Sequence, residues 1–167
     1  MNSIAYYRSP LGWVEIQTLQ GAVSSVRLRE ELKNTDELQI KPNDTTCDDS
    51  SILSECIRQL EEYFNGQRTS FNLLVRQQGT EFQQSVWNIL KEIPFGKTIS
   101  YADVAKKLNA PKSARAVGAA CGKNNVWIII ACHRVIGANG SLTGYAGGLE
   151  CKKWLLDHER NYSKMLG

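Results

Sequence analysis

"VWIIIACHRVIGANG", residues 126–140, is the stretch on which the reading of this chain turns. A run of β-branched residues, the pattern of a buried strand, leads straight into Cys132, His133 and Arg134. A core strand has no use for a thiol, an imidazole and a guanidinium in succession, whereas a reactive site does. An unperturbed thiol is only a few per cent thiolate at neutral pH, so a nucleophilic Cys132 needs a base, and His133 is the candidate. Adjacent residues of an extended strand point to opposite faces. Either the chain turns at Cys132 or a water relays the proton, and the imidazole then requires a carboxylate to fix its tautomer. A Cys next to a His is by itself more often packing plus surface than a dyad, so the surroundings must decide.

Those surroundings are basic. Residues 1–79 carry a net charge of −3 and residues 80–167 one of +6. Between positions 97 and 134 there are seven Lys or Arg against one acid, Asp103, which fits either a solvated face or a phosphate-binding surface. Five cysteines without a C-x-x-C pair argue against a disulfide framework and a zinc ribbon, and only two histidines leave a metal site short of ligands. No metal and no cofactor are expected. The opening "MNSIAYYRSP" lacks signal-peptide character and no apolar run reaches the roughly 18 residues of a membrane span. Free thiols fit a reducing compartment, so a cytoplasmic protein is expected, or a nuclear one in a eukaryote.

The pattern divides the chain near Gly79, giving an N-terminal domain over 1–78 and a C-terminal one over 79–167. In the first, "SIAYY", "GWVEIQT" and "AVSSVRL" predict an antiparallel sheet. The acidic stretch 30–50 predicts a long loop, Ser51–Phe64 a helix with one apolar stripe, and "FNLLV" (71–75) another strand. In the second, Thr80 and Gln83 form a capping-box pattern ahead of a helix that Pro94 and Gly96 end. Short helices from Ser100 to about Leu108 and from Ser113 to Cys121, joined by "NAPKS", suggest a helix-turn-helix unit. The second of these, "SARAVGAACG", is nearly bare of long side chains except Arg115. That composition fits close helix packing, and equally fits approach to a narrow groove such as the minor groove of DNA.

"GTEFQQSVWNILKEIPFGKTISYADVAKKL", "ARAVGAACGKN", "CHRVIGANGSLTGYAGGL" and "KKWLLDHE" follow one another in this order. Together they resemble the O6-alkylguanine-DNA alkyltransferases, densely over residues 79–160 and only in general layout before that. The resemblance implies an α/β (α+β) protein: a small N-terminal antiparallel sheet with a helix, ribonuclease-H-like, and a mainly helical C-terminal domain that binds DNA and accepts the alkyl group. It implies direct-reversal repair, in which a flipped O6-alkylguanine (or O4-alkylthymine) loses its alkyl group irreversibly to Cys132. His133 then matches the residue that takes the thiol proton through a water, and Glu159, near the end of the last helix, the carboxylate that orients it. Asn124 matches a hinge that braces the turn, and Tyr101 a pocket residue. Tyr145 and the Ala146 N–H match the lid over the base, and the carbonyls of Cys132 and Val135 match acceptors for its amine. Arg115 matches the arginine that fills the gap in the base stack. Ala114, Ala116 and Gly118 with Lys112 and Lys123 make up the face toward double-stranded DNA, approached through the minor groove by a monomer.

The sequence departs from the family pattern before the nucleophile, where Ala131 stands in place of a usual Pro. Asn125 and Trp127 stand where Pro often follows the hinge Asn. Two other readings compete. A non-catalytic alkyl-DNA-binding protein would carry another residue at the nucleophile, against the intact Cys132. A cysteine hydrolase using Cys132, His133 and Glu159 would turn over.

Overall fold

The computed structural model describes residues 2–30 and 47–167. The chain forms two compact units, Met1–Gln77 and Gln78–Gly167.

In the first unit, β1 (Asn2–Ser9), β2 (Gly12–Leu19) and β3 (Ala22–Arg29) form an antiparallel sheet in that order. Alternation places Ala5, Val14 and Ile16 in the core, and a register shift at Gln17/Thr18 brings both Val23 and Val26 to the same side. Gln20 (φ 50°) and Gly21 (φ 75°) make the β2–β3 turn with both central residues left-handed, as a two-residue hairpin matched to strand twist requires. Helix α1 (Cys47–Phe64) contributes Leu53, Cys56, Leu60, Tyr63 and Phe64 to the same core. It begins four residues before the expected start at Ser51. The rest of the expected acidic loop, 31–46, lies outside the described residues.

The strand expected at 71–75 does not form. Only Val75 makes an isolated parallel bridge, to Val23. Its neighbour Asn72 is paired elsewhere: the Gln59 side chain accepts from the Asn72 N–H at 2.9 Å and donates to the Asn72 carbonyl at 3.1 Å. The side-chain amide pairs Asn72, and backbone pairing with β3 is confined to the Leu74 carbonyl and the Arg76 N–H, both bonded to Val23.

The second unit opens with α2 (Glu81–Glu92), whose N-terminus carries the complete capping box of Thr80 and Gln83. A two-residue strand β4 (Ile99–Ser100) pairs in parallel with β5 (Val135–Ile136). Ser100 then caps α3 (Tyr101–Lys107), accepting from the Asp103 N–H at 3.0 Å. Helix α4 (Ala114–Gly122) follows, and α5 (Leu149–Leu166) closes the chain. The Trp87 indole N–H donates to the Ala120 carbonyl at 2.9 Å, tying α2 to α4. A Cβ added at Gly118 would sit 3.8 Å from the Tyr101 ring, an ordinary contact distance, so the fold does not require glycine there. The buried Val117 and Ala120, the latter bonded by Trp87, are the side of α4 that serves helix packing. Its exposed residues include Arg115, Ala116 and Ala119.

The "VWIII" segment corrects the sequence reading most sharply. It is not a strand. Val126, Ile128 and Ile130 are buried, but the chain coils around the side chain of Asn124. Asn124 Oδ1 accepts from the Val126 N–H at 3.0 Å, and Nδ2 donates to the Ile130 carbonyl at 3.0 Å. Ile128 lies at φ 71°, a region that β-branched residues rarely enter. The segment is apolar because it is enclosed, and local turn bonds such as Ile130 N–H to the Val126 carbonyl, together with the Asn124 amide, satisfy its backbone where a sheet would otherwise do so.

Candidate active site

The Asn124 turn delivers Cys132 at the start of a single 3-10 turn, Cys132–Arg134. This resolves the geometric objection that two adjacent strand residues cannot cooperate, because the chain does turn at the thiol. Cys132, His133 and Arg134 are all buried. His133 Nε2 lies 2.7 Å from Glu159 Oε1. The Arg134 guanidinium grips both oxygens of the same carboxylate, Nε at 2.9 Å from Oε2 and Nη2 at 2.8 Å from Oε1, and also donates to the Ile93 carbonyl. The Gly96 N–H adds a further donor, 3.2 Å from Oε2. The sequence had suggested a carboxylate near a helix end. Glu159 instead sits well inside α5, which continues to Leu166, with its carboxylate fully enclosed.

The electrostatics follow from this packing. Burial pushes the Glu159 carboxyl up, but the hydrogen bond from His133 and the Arg134 guanidinium outweigh it and hold the group well below the usual carboxylate range. Burial pushes His133 down, only partly countered by Glu159, so the resting imidazole is neutral. An ionised Glu159 accepts the proton on Nε2, which leaves Nδ1 as the basic nitrogen. Nδ1 is buried and has no hydrogen-bond partner among the described residues.

Burial also raises the Cys132 thiol above its ordinary value, opposed by the Asn124 amide 3.3 Å from Sγ and by the positive charge of Lys152. Cys56 and Cys121 are pushed up to about 12 and Cys151 to about 11, again chiefly by burial. A low resting pKa therefore does not mark out Cys132. Its distinction is a donor amide on the sulfur and an unpartnered buried base on the next residue.

Cys132 lines a cavity of about 590 Å³ together with Tyr101, Arg115, Cys121, Thr143, Tyr145 and the small residues Ala114, Gly118, Gly122, Gly144 and Ala146. Seven of the residues singled out in the sequence thus meet in one space: Tyr101, Ala114, Arg115, Gly118, Cys132, Tyr145 and Ala146. Asn124, His133 and Glu159 stand behind its wall. Ala116, Lys112 and Lys123 are exposed and do not line it. Val135 is fully buried and also does not line it, and its carbonyl accepts from Lys152 Nζ at 2.6 Å. The Cys132 carbonyl accepts from the Val135 N–H. Both carbonyls expected to read a base amine thus already hold one donor, leaving one lone pair each.

Lys152 is the residue that the sequence reading missed. It is fully buried, and Nζ donates to the carbonyls of Val135 and Thr143 and lies 3.4 Å from the Tyr101 hydroxyl. Its signal was available: Lys152 falls in helical register with the buried Leu155, Leu156 and Glu159, where a lysine has no solvent to reach. Among the described residues, no cluster of three or more His, Cys, Asp or Glu could hold a metal ion.

A buried thiol beside a histidine–carboxylate pair, opening on a cavity flanked by a helix pair, is the arrangement that chemistry by a cysteine nucleophile requires. The comparisons with known proteins then identify which. The family model for the 6-O-methylguanine DNA methyltransferase DNA binding domain matches residues 81–161, and that for the ribonuclease-like domain of the same proteins matches 3–77. The chain is 43% identical over 155 residues to a methylated-DNA–protein-cysteine methyltransferase of Methanosarcina acetivorans, covering 93% of this chain and 96% of that one. It is 48% identical over 122 residues to the inducible Bacillus subtilis enzyme of the same name, covering 73% and 68%. A crystal structure of Mycobacterium tuberculosis OGT in complex with DNA matches at a TM-score of 0.79 and 39% identity, covering 94% and 92%. This chain belongs to the 6-O-methylguanine DNA methyltransferase family.

Proposed function

We propose that this protein repairs DNA by direct reversal, moving the alkyl group of O6-alkylguanine, and by the same chemistry of O4-alkylthymine, onto Cys132 once per molecule. The observation that carries the proposal is the line Cys132, His133, Glu159. A thiol faces the cavity, and the neighbouring imidazole is fixed in one tautomer at 2.7 Å from an ionised carboxylate, with its basic Nδ1 unpartnered among the described residues. Nδ1 takes the thiol proton through a water, and the imidazolium that forms is stabilised by Glu159. The thiolate attacks the alkyl carbon, the C–S bond forms, and the C–O6 bond breaks with its electron pair going to the base. Tyr101, whose hydroxyl donates to the Thr143 carbonyl at 3.1 Å with Lys152 beside it, gives the base the proton it then needs, and the thiol proton held on the His133 imidazolium returns through water to the Tyr101 phenolate. No step returns the alkyl group, so the protein is consumed.

The helix pair α3–α4 serves as the DNA reader. The exposed face of α4 enters the minor groove of double-stranded DNA, Ala114, Ala116 and Gly118 allow close approach, and Lys112 and Lys123 meet phosphates. Arg115, at the cavity mouth, fills the space left by the flipped nucleotide. The protein acts as a monomer in the cytoplasm, or in the nucleus of a eukaryotic source. No helix among the described residues is long and apolar enough to cross a membrane.

The test is intact-mass measurement after incubation with a duplex holding one O6-methylguanine. One methyl per protein, mapped to Cys132 and absent in Cys132→Ser, is the expected result. Turnover beyond one equivalent would favour the hydrolase, and tight binding without a mass change the non-catalytic binder. Arg115→Ala should slow the duplex reaction far more than reaction with free O6-benzylguanine, because the free base leaves no gap in a stack.

A further inference from the structure

Among the described residues, three buried side-chain polar atoms have no hydrogen-bond partner: Thr18 Oγ1, His133 Nδ1 and the Tyr145 hydroxyl. Thr18 belongs to the first unit, whereas the other two belong to the site of the thiol. A buried polar atom without a partner is costly, so two of them beside one reactive sulfur call for a common explanation.

Tyr145 lines the cavity together with Cys132. Its ring packs against that of Trp127, with centroids 5.9 Å apart, and the Trp127 indole N–H donates to the Asn124 carbonyl at 3.0 Å. The Asn124 amide in turn holds the Cys132 sulfur at 3.3 Å. These contacts fix the ring on the sulfur's side of the turn, and its hydroxyl lies within electrostatic reach of both Cys132 and Glu159. Burial raises that phenol well above its ordinary range, so it stays protonated and acts as a neutral donor.

The proton moves from Cys132 Sγ to His133 Nδ1 through a water, and a buried water keeps its place with about three hydrogen bonds. Sγ and Nδ1 supply two. The Asn124 amide is spent on Val126, Ile130 and the sulfur itself. Lys152 Nζ is spent on the carbonyls of Val135 and Thr143 and on the Tyr101 hydroxyl. Arg134 is spent on Glu159 and the Ile93 carbonyl. The Tyr145 hydroxyl is the polar group left over.

We infer that Tyr145 is a positioning residue for the proton relay: its hydroxyl donates the third hydrogen bond to the water between Cys132 Sγ and His133 Nδ1. The thiol proton passes to that water and a water proton passes to Nδ1. A thiolate and an imidazolium result, with the water and the phenol unchanged. A donor on the water oxygen makes the water a better proton giver and holds it in line with the sulfur. This rests on the alkyl-transfer reading above.

The test is Tyr145→Phe, which keeps the ring and removes only the hydroxyl. Two readouts are followed across pH beside the wild type: single-turnover transfer from an O6-methylguanine duplex, and iodoacetamide labelling of Cys132 without DNA. Transfer should slow about tenfold, the effect of one lost hydrogen bond. The labelling midpoint should move to higher pH, because the thiolate–imidazolium pair loses support. Lys152, Glu159 and Cys151 of α5, Cys121 of α4, Tyr101 of α3 and Arg134 are the other titratable or charged groups around the pair, and the substitution retains them all. In His133→Gln, which lacks the base, Tyr145→Phe should shift the labelling midpoint no further. An unchanged rate and midpoint in Tyr145→Phe, slower transfer with the midpoint unmoved, or an equal shift in the His133→Gln background would each overturn the inference. If His133→Gln does not fold, the two Tyr145→Phe readouts decide alone. If the wild type is labelled at Cys132 but transfers no methyl, the alkyl-transfer reading fails and the labelling shift still tests the relay; if it transfers and Tyr145→Phe matches it, only this inference fails.

Discussion

Among the described residues Glu15 and Glu159 each hold an arginine through both carboxylate oxygens, as Glu55 does with Arg58 on the exposed side of α1. Glu15, on β2, meets Arg29 of β3, with Nε and Nη2 both at 3.1 Å, and also Gln17 and Tyr6. Glu159, on α5, meets Arg134, His133 and the Gly96 N–H. On paper the pairs are alike. Their solvent differs on the arginine side: Glu15 is buried, with its side chain 8% exposed, but the Arg29 side chain is 50% exposed, while that of Arg134 is 7% exposed and that of Glu159 1%. Water competes for the first pair and screens it, so it joins two strands that already pair through their backbones. Water is excluded from the second, so every donor around Glu159 must stay in place, and the charge it keeps is available to an imidazole. The same two residue types give a strand clip in one place and, in the other, a buried fixed charge against an imidazole.

The largest expected effect of breaking this contrast comes from Glu159→Gln. It leaves the Arg134 charge buried without its counter-ion, a loss of roughly 3–5 kcal/mol in denaturant unfolding. It should also slow transfer and reduce iodoacetamide labelling of Cys132 at neutral pH, since His133 loses the partner that stabilises its imidazolium. An unaltered labelling profile would remove Glu159 from the mechanism and leave it a structural ion pair like Glu15.

Acid provides the next test. The folded pKa of Glu159 lies below its unfolded value, so its contribution is fully present above roughly pH 4.3 and is lost as pH falls through the folded pKa. His133 is buried neutral with a lowered folded pKa, so its contribution begins to fade earlier, below about pH 6.5. Thermal melting should therefore drop on acidification, first from the histidine and then from the carboxylate, and in Glu159→Gln the drop below about pH 4 should flatten.

A smaller effect, of opposite sign, is expected at the turn beside the buried pair. Ala131 has φ −79°, close to the proline value. Its N–H also donates no hydrogen bond among the described residues. Ala131→Pro should stabilise the protein by about 0.4–1 kcal/mol through the unfolded chain and leave transfer as fast or faster, read by melting and single-turnover rates on one duplex. A fall in both would mean that this turn has adapted to alanine. The smallest effect belongs to Glu15→Gln: about 0.2–1 kcal/mol of stability, as for a solvent-screened pair, with no change in transfer rate. A loss as large as that of Glu159→Gln would break the contrast.

The N-terminal hairpins were legible because strand-forming runs lie in sequence with only short turn segments between them, which leaves few other arrangements. The capping box of α2 and the Ser100 cap of α3 were legible for the same reason, since donors and acceptors three residues apart meet within one turn. Segment 126–130 and the strand expected at 71–75 misled because apolar β-branched runs report enclosure, while what encloses them lies elsewhere in the chain. In both cases a side-chain amide, that of Asn124 or Gln59, took over some of the backbone bonds. Lys152 was passed over because a lysine is read by default as a surface residue, although its helical register pointed inward.

By itself the sequence determined the elements whose bonds close locally, and through its motifs the identity of the thiol, the imidazole and the carboxylate. The tertiary structure decided what those groups are to one another. Whether Glu159 is a helix-end charge or a buried anchor depends on Arg134, 25 residues away, and on the exclusion of water. Whether His133 can act beside Cys132 depends on a turn built around Asn124. Burial and distance set the strength of an electrostatic contact, and both are properties of packed chains that residue order does not contain.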